Sequence, residues 1–168
     1  MKTAVCLLVT LISVTSALAQ ADTTPPFRRF PVLPPLMLTQ LNNSQFTKDN
    51  LKKNQPTLLM YFSPDCDHCK HQIQDMMGKM NEFKKIQIVM ATYRPMEEMR
   101  QFYHNYKLKK YSNIKIGRDA KFLLPPFFRI RNLPFMALYD TEGNLITTFE
   151  GNVSTDSLVV RLLGGRLK

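Results

Sequence analysis

The stretch FSPDCDHCKH, residues 62–71, holds two cysteines, two histidines and two aspartates within ten positions. Such a cluster can bind a metal ion, attach a haem group or exchange electrons as a dithiol. Haem attachment requires a histidine directly after the second cysteine, and Lys70 follows Cys69 here. The sequence therefore leaves a metal site and a redox-active dithiol to be compared.

A metal site would combine the two cysteines with His68 or His71. Successive residues of a helix are rotated by about 100°, so His68 would point about 200° away from Cys66. After residue 19 the chain has no other cysteine, and its only further histidine is His104. A structural metal site is disfavoured and we expect no cofactor, with a copper-binding module kept as an alternative.

A dithiol agrees with the elements predicted on both sides of the pair. The apolar run TLLMYF, residues 57–62, is typical of a strand covered on both faces, and a helical stripe follows the cysteines. A helix that begins near Cys66 would stabilise a thiolate there through its unpaired N–H groups. Cys66 is the predicted nucleophile, and Cys69, one turn later and more buried, is the predicted resolving cysteine.

The two residues between the cysteines, Asp67 and His68, are predicted to modulate the pair. His68 can add a positive charge or a hydrogen bond to the thiolate, whereas Asp65 and Asp67 oppose it through their negative charge. The alternative is that His68 is an exposed helix residue without a chemical role.

The first nineteen residues, MKTAVCLLVTLISVTSALA, are typical of an export signal. Lys2 precedes an apolar run, and Ala17 and Ala19 form the small-x-small pattern that predicts cleavage after Ala19. The run is shorter than the roughly 20 apolar residues of a spanning helix, and a signal anchor is the alternative. We expect an exported protein of the periplasm or cell envelope.

After the predicted signal, residues 20–35 are rich in proline and polar residues and are predicted to be a flexible lead-in. Residues 36–168 are predicted to form a single domain. Cys66 and Cys69 are its only cysteines, and a disulfide across two residues stabilises a fold very little. The pair is therefore expected to serve chemistry rather than stability.

The formal net charge of +10 raises the question of nucleic-acid binding. The basic residues are scattered, no nucleic-acid motif accompanies them, and the predicted signal directs the protein out of the cytoplasm. We therefore expect no nucleic-acid partner. The charge is attributed to a solvated face, or to weak attraction toward anionic membranes or acidic partners.

Strands and helices alternate along the rest of the chain. Alternation of this kind predicts an α/β fold, a central mixed sheet with helices on both faces and reactive groups at the carboxyl ends of its strands. The predicted elements are an edge strand at 35–41, a short helix or turn at 46–53, a strand at 86–92, a helix from Pro95, a strand at 113–119, a helical segment that Pro125 and Pro126 interrupt, a hairpin of 135–140 with 144–151, and a helix capped by Ser154 or Thr155.

The run LLMYFSPDCDHCKHQI resembles the strand, active-site turn and helix of the thioredoxin superfamily. The later run RNLPFMALYDTEGNLITTFEG resembles the segment in which a cis-proline opens a hairpin, with Leu133 and Pro134 at that position. Residues 95–131 resemble the insertion of the exported TlpA-like branch and of its peroxiredoxin relatives. The resemblance covers about residues 36–163 and implies a thioredoxin-like fold with a β-α insertion before the cis-proline hairpin.

The resemblance implies a thiol-disulfide oxidoreductase that reduces, or forms, disulfides in envelope proteins. Its partners would be protein disulfides and a membrane-bound electron donor. Pro134 would face the cysteines and keep metals away, and the backbone of Leu133 would pair with an extended substrate segment. The oligomeric state is left open.

Three departures from the family pattern qualify this expectation. Asp65 stands where an aromatic residue is common, and Met60 stands where thioredoxins bury an acidic residue, so Cys69 lacks its usual proton acceptor. The dipeptide of Asp67 and His68 partly resembles the oxidising DsbA type, which leaves the direction of electron flow open.

A thiol peroxidase of peroxiredoxin type is the alternative enzyme class. The motif of that family places Pro, then Thr or Ser, then the reactive cysteine at fixed offsets. Ser63 fits this motif, but Leu59 occupies the position of the proline, and a second cysteine at Cys69 is atypical.

Overall fold

A computed structural model describes residues 24–164. The predicted export signal and its cleavage site lie outside the described residues, as do residues 165–168. Within residues 24–164, none of the helices combines the length and apolar character needed to cross a membrane.

The centre of the domain is a seven-stranded mixed sheet. In chain order its strands are β1 (Met37–Thr39), β2 (Gln45–Thr47), β3 (Thr57–Tyr61), β4 (Gln87–Thr92), β5 (Ile114–Arg118), β6 (Phe135–Tyr139) and β7 (Leu145–Glu150). Across the sheet they lie in the order β2-β1-β5-β4-β3-β6-β7. The central strands β3, β4 and β5 are parallel, and the remaining neighbours pair antiparallel. The end of β3 therefore lies between the end of β4 and the start of β6.

Five helices of the described chain cover both faces of the sheet, as predicted. They are α1 (Pro26–Arg29), α2 (Asp67–Gly78), α3 (Met96–Asn105), α4 (Leu124–Phe128) and α5 (Thr155–Leu162). Side chains of α2, α3 and α5 pack on one face, and side chains of α1 and α4 pack on the other. Successive strand residues point to opposite faces, so Leu58 and Met60 of β3 contact the first group, while Leu59 and Tyr61 contact the second. Burial on both faces is the reason that β3 reads as a continuous apolar run.

The edge of the sheet differs from the prediction. A short hairpin of β1 and β2 replaces the single edge strand, and the short helix or turn predicted at 46–53 is a 3-10 turn at Lys48–Asn50. Each strand of the hairpin has three residues, of which one is buried, Leu38 in β1 and Phe46 in β2. Such short strands carry too few residues for a clear alternation, which is why the sequence did not reveal β2.

The helical segment after β5 also differs, because Pro125 and Pro126 do not interrupt it. They lie in the first turn of α4, where backbone N–H groups have no partner within the helix, so their loss costs little. The buried carboxylate of Asp119 accepts the N–H groups of Leu123 and Leu124 at 3.0 Å each. The start of the helix is therefore capped in spite of its prolines.

The predicted lead-in carries secondary structure in the part that the structure describes. Phe27 of α1 is buried, and its ring centre lies 5.7 Å from that of Phe128 in α4. Val32 forms an isolated bridge with Asn144 at the turn of the last hairpin. The proline content favoured a tether, but Phe27 and Leu33, which lie between the prolines, pack in the core on the face covered by α4. The packed part of the chain thus begins before residue 36.

Candidate active site

Cys66 lies at the carboxyl end of the central strand β3. The N–H of Cys66 donates to the carbonyl oxygen of Ser63 at 3.2 Å, which closes a tight turn between the strand and α2. Cys66 is the N-cap of α2, and its Sγ accepts the N–H of Cys69 at 3.3 Å. A thiolate formed here would receive this hydrogen bond and the favourable field of the helix N-terminus.

The two thiols differ in their exposure to solvent. Cys66 is half-buried, whereas Cys69 is completely buried in the core between α2 and the sheet. Burial raises the pKa of the Cys69 thiol, and the hydrogen bond with Cys66 raises it further. A visiting disulfide can therefore reach Cys66 first, and Cys69 must lose its proton before it can react.

The start of β6 completes the site on the other side of β3. The peptide bond between Leu133 and Pro134 is cis, as the family resemblance implies, and Phe135 pairs with Tyr61 at the end of β3. The Cys66 thiol donates to the carbonyl oxygen of Leu133, with 3.9 Å between sulfur and oxygen. The structure therefore brings Leu133 and Pro134 next to Cys66 and Cys69, although the two pairs are separated by more than 60 residues in the chain.

Asp67 and His68 are exposed on the first turn of α2. The carboxylate of Asp67 pairs with the Lys70 ammonium group at 2.8 Å, and this hydrogen bond lowers the pKa of Asp67. The backbone carbonyl of His68 accepts a hydrogen bond from the Asn152 side chain at 2.8 Å, while its imidazole is exposed. Their proposed influence on the thiols remains a prediction.

Asp65 belongs to a charged network that the sequence analysis did not identify. The Ser63 hydroxyl donates to its carboxylate, which lowers the pKa of Asp65, and the nearby Arg94 guanidinium lowers it further. Arg94 lies 3.5 Å from Asp65 and binds Glu98 through two hydrogen bonds of 2.7 and 3.1 Å. Arg94 follows β4, the parallel neighbour of β3. Because the carboxyl ends of parallel strands lie at the same edge of a sheet, the sequence could have predicted that Arg94 lies near Asp65.

Gln72 is a second residue that the sequence analysis missed. It is fully buried on α2 and exchanges two hydrogen bonds with the backbone of Val153, at 3.0 and 2.8 Å. These bonds hold the segment after β7 against the helix that carries the cysteines. A polar residue directly beside Ile73, on the apolar stripe of α2, was the available signal.

A groove of about 620 Å³ lies beside the turn that carries the cysteines. Its walls include Asp65, Lys70, Arg94, Glu98 and Tyr106. Among residues 24–164, no three His, Cys, Asp or Glu side chains come together as a group that could hold a metal ion. Most of the side chains that line the groove are polar or charged.

Residues 32–162 match the family model of AhpC/TSA. The chain belongs to the AhpC/TSA family. This AhpC/TSA protein is 28% identical over 128 residues to an uncharacterized protein of Haemophilus influenzae, an alignment that covers 74% of this chain and 82% of the relative.

Two solved structures resemble the AhpC/TSA protein closely in fold. A secreted disulfide oxidoreductase of Mycobacterium tuberculosis, homologous to E. coli DsbE, has a TM-score of 0.64 and 20% identity, covering 77% of this chain and 95% of that one. A structure described as thiol:disulfide interchange protein DsbE from Chlorobium tepidum has a TM-score of 0.66 and 16% identity, covering 79% and 94%. The predicted thioredoxin-like fold and the assignment to the thioredoxin superfamily are confirmed.

The AhpC/TSA protein departs from thioredoxins in the proton acceptor for its buried thiol. Met60, at the position where thioredoxins bury an acidic residue, is fully buried in the core. The carboxylate whose charge acts on Cys69 is that of Asp65, in the turn that carries Cys66. An acidic group is thus present near the pair, but at the solvent-exposed side of the site.

Proposed function

We propose that this protein is an exported thiol-disulfide oxidoreductase in which Cys66 is the nucleophile and Cys69 is the resolving cysteine. The observation that supports this best is the position of the Cys66 sulfur. It accepts a hydrogen bond at the start of α2, it is accessible from solvent, and it lies 3.9 Å from the Leu133 carbonyl beside the cis-proline. These features suit attack on a disulfide held against the start of β6.

Reduction of a protein disulfide would take two exchange steps. The Cys66 thiolate attacks one substrate sulfur, so that a mixed disulfide forms and the other substrate sulfur leaves as a thiolate. Cys69, after losing its proton to solvent, attacks the Cys66 sulfur and releases the second substrate thiolate. The protein dithiol loses two electrons and two protons, and the substrate gains them.

The substrate would bind as an extended polypeptide segment. Leu133 precedes β6 and its backbone lies beside the Cys66 sulfur, so a segment that pairs with it would place its own disulfide at the nucleophile. Pro134, which has no N–H group, is buried next to it. The groove lined by Asp65 and Arg94 offers room for side chains next to the substrate cysteine.

We place this activity in the periplasm or cell envelope, and we propose that the protein acts as a reductant. The signal-like residues 1–19 and the similarity to a secreted disulfide oxidoreductase support the location. The predicted insertion between β4 and β6 follows the TlpA-like layout, which supports reduction. A membrane-bound dithiol protein would then return electrons to the pair.

Replacement of each cysteine tests the proposal. Cys66→Ser should abolish the reduction of insulin disulfides while the fold is retained. Cys69→Ser should also lose turnover and should accumulate a mixed disulfide with its substrate, visible by mass spectrometry without reductant. Full activity of Cys66→Ala would show that the assignment is wrong. A reduction potential of about −270 mV would identify a reductant and one of about −120 mV an oxidant.

A thiol peroxidase is the second candidate, supported by membership of the AhpC/TSA family and by Ser63 three residues before Cys66. The buried Cys69 in contact with Cys66 argues for disulfide exchange instead. Peroxide consumption at a rate unchanged by Cys69→Ser would favour the peroxidase. A copper-binding module would instead bind the metal stoichiometrically when reduced, without activity toward protein disulfides.

A further inference from the structure

Three pairs of adjacent lysines precede the three parallel strands. Lys52 and Lys53 precede β3, Lys84 and Lys85 precede β4, and Lys109 and Lys110 precede β5, and all six side chains are exposed. Because β3, β4 and β5 are parallel, their starts lie at the same end of the sheet. The topology therefore collects the six lysines opposite Cys66, at what we call the basic end.

The basic end contains a groove of about 880 Å³ with an excess of positive charge. Five cationic side chains line it, and the one acidic residue among its walls is Asp140, whose carboxylate accepts hydrogen bonds from the N–H groups of Glu142 and Asn144. None of the ion pairs among residues 24–164 involves the six lysines. The cationic residues of this groove are Lys52, Lys53, Lys84, Lys85 and Arg161.

The acidic residues near the cysteines, at the opposite end, are paired with cations of that same end. Asp67 pairs with Lys70, Asp65 and Glu98 pair with Arg94, and Glu97 pairs with Arg100. Their charges largely cancel there, whereas the lysines of the basic end keep a concentrated positive charge. An anionic surface would attract the basic end and turn the cysteines away from itself.

Apolar side chains are exposed among the cations of the basic end. Ile146 and Leu163, which line the same groove, are 40% and 48% exposed. Lysines around exposed aliphatic side chains are typical of surfaces that bind anionic bilayers, because the cations meet lipid phosphates while the apolar groups enter the headgroup boundary.

We propose that the basic end binds the surface of an anionic phospholipid membrane and orients the cysteine pair toward the aqueous side. An acidic protein would satisfy the lysines as well, but the exposed Ile146 and Leu163 favour lipid. This inference depends on the charge distribution and holds whatever reaction the cysteines perform.

Vesicle binding by the full-length protein tests the proposal. The protein should bind vesicles of equal parts phosphatidylglycerol and phosphatidylcholine more tightly than vesicles of phosphatidylcholine, and raising the salt from about 0.01 M to 1 M should weaken the binding at least tenfold. Residues 1–19, whose only charged side chain is Lys2, are common to all the variants below, so their contribution cancels when variants are compared. Equal binding to both, or tighter binding to polyglutamate than to the anionic vesicles, would overturn the proposal.

A pair of matched variants separates the basic end from net charge. The triple variant Lys53→Glu, Lys85→Glu, Lys110→Glu changes one lysine of each pair and should bind anionic vesicles at least about tenfold more weakly. The control triple Lys121→Glu, Arg129→Glu, Arg131→Glu makes the same charge change between β5 and β6 and should keep most of the binding. Equal losses in the two triples would show that net charge decides, against the proposal.

Two further measurements test the fold and the apolar contribution. The lysine triple should keep the far-UV circular dichroism spectrum of the unaltered protein, which shows that it is folded. The double variant Ile146→Ser, Leu163→Ser should still bind anionic vesicles at low salt. It should lose the binding that the unaltered protein retains at high salt. A double serine variant with unchanged salt resistance would contradict the lipid contact and leave an acidic protein as the better partner.

Discussion

The Arg94 guanidinium lies 3.5 Å from the carboxylate of Asp65, the residue that directly precedes Cys66, the proposed nucleophile. A carboxylate next to a thiolate destabilises it, and a cation bound to that carboxylate offsets the effect. Arg94 is itself held by Glu98, through two hydrogen bonds. The geometry makes Arg94 a positioning residue that sets how strongly Asp65 acts on the cysteine pair.

Replacing Arg94 should make the dithiol more reducing. In Arg94→Gln the Asp65 charge is no longer compensated, so the reduced form with its thiolate loses stability relative to the disulfide. Asp65 is 63% exposed, and solvent therefore screens most of the interaction. We expect the equilibrium constant against glutathione to change about threefold, which corresponds to about 14 mV.

The same measurement on related variants distinguishes charge from structural damage. Asp65→Asn should shift the equilibrium in the opposite direction, and adding Arg94→Gln to it should have a smaller effect than Arg94→Gln alone, because Asp65 no longer holds the guanidinium near the cysteine pair. Arg100→Gln, which removes a similar pair with Glu97 on α3, should leave the equilibrium unchanged. An equal shift in Arg100→Gln would contradict the role of Arg94.

Replacing Gln72 should destabilise the domain. Gln72→Leu removes both hydrogen bonds to the Val153 backbone, so we expect the free energy of unfolding in urea to fall by about 2 kcal/mol. Gln74→Leu changes an exposed residue of the same helix and should alter the free energy of unfolding by less than about 0.5 kcal/mol. Similar losses in both variants would show that the pairing with Val153 is unimportant.

Gly117 should not tolerate a side chain. A Cβ atom at this position of β5 would lie 2.7 Å from the Cβ of Leu38, so Gly117→Ala should lower the free energy of unfolding by about 1–3 kcal/mol. Gly78, in the last turn of α2, has open space around the position of a Cβ atom. Gly78→Ala should therefore raise the free energy of unfolding by about 0.5–1 kcal/mol. The prediction fails if both substitutions change the urea midpoint in the same direction.

The reduced protein should lose stability in alkaline solution. Burial raises the pKa of Cys69, Tyr61 and Tyr139, so the folded protein keeps protons that the unfolded chain releases above pH 9.0 for cysteine and 10.0 for tyrosine. The unfolded state then binds fewer protons, and the free energy of unfolding falls with rising pH, by at most about 1.4 kcal/mol per pH unit and group.

Urea unfolding in the presence of reductant should show this fall above pH 9, with no contribution from these three groups at lower pH. Of the three groups, the Cys69 thiol has the lowest pKa in the unfolded chain. The free energy of unfolding of Cys69→Ala should therefore change less between pH 9 and 10 than that of the unaltered protein. An identical slope in both proteins would show that the Cys69 thiol is not the group responsible.

Most elements of the domain could be predicted from local patterns. The continuous apolar run of β3 and the apolar stripe of α2 follow from burial on both faces and from packing on one side, so both were identified correctly. The short strand β2 was not predicted, because three residues are too few to show an alternation of apolar and polar side chains. The start of α4 was not predicted either, because prolines are permitted in the first turn of a helix.

The sequence by itself determined the chemistry of the site, since two cysteines at helical spacing after a buried strand need no distant partner to be recognised. Tertiary structure alone decided what surrounds them, because strand pairing joins residues far apart in the chain. The tertiary structure places Leu133 beside Cys66, pairs Arg94 with Asp65, and joins Gln72 to Val153 through hydrogen bonds. Parallel pairing also gathered the lysines that precede β3, β4 and β5 at one end of the sheet, where separate local sequences become a single surface.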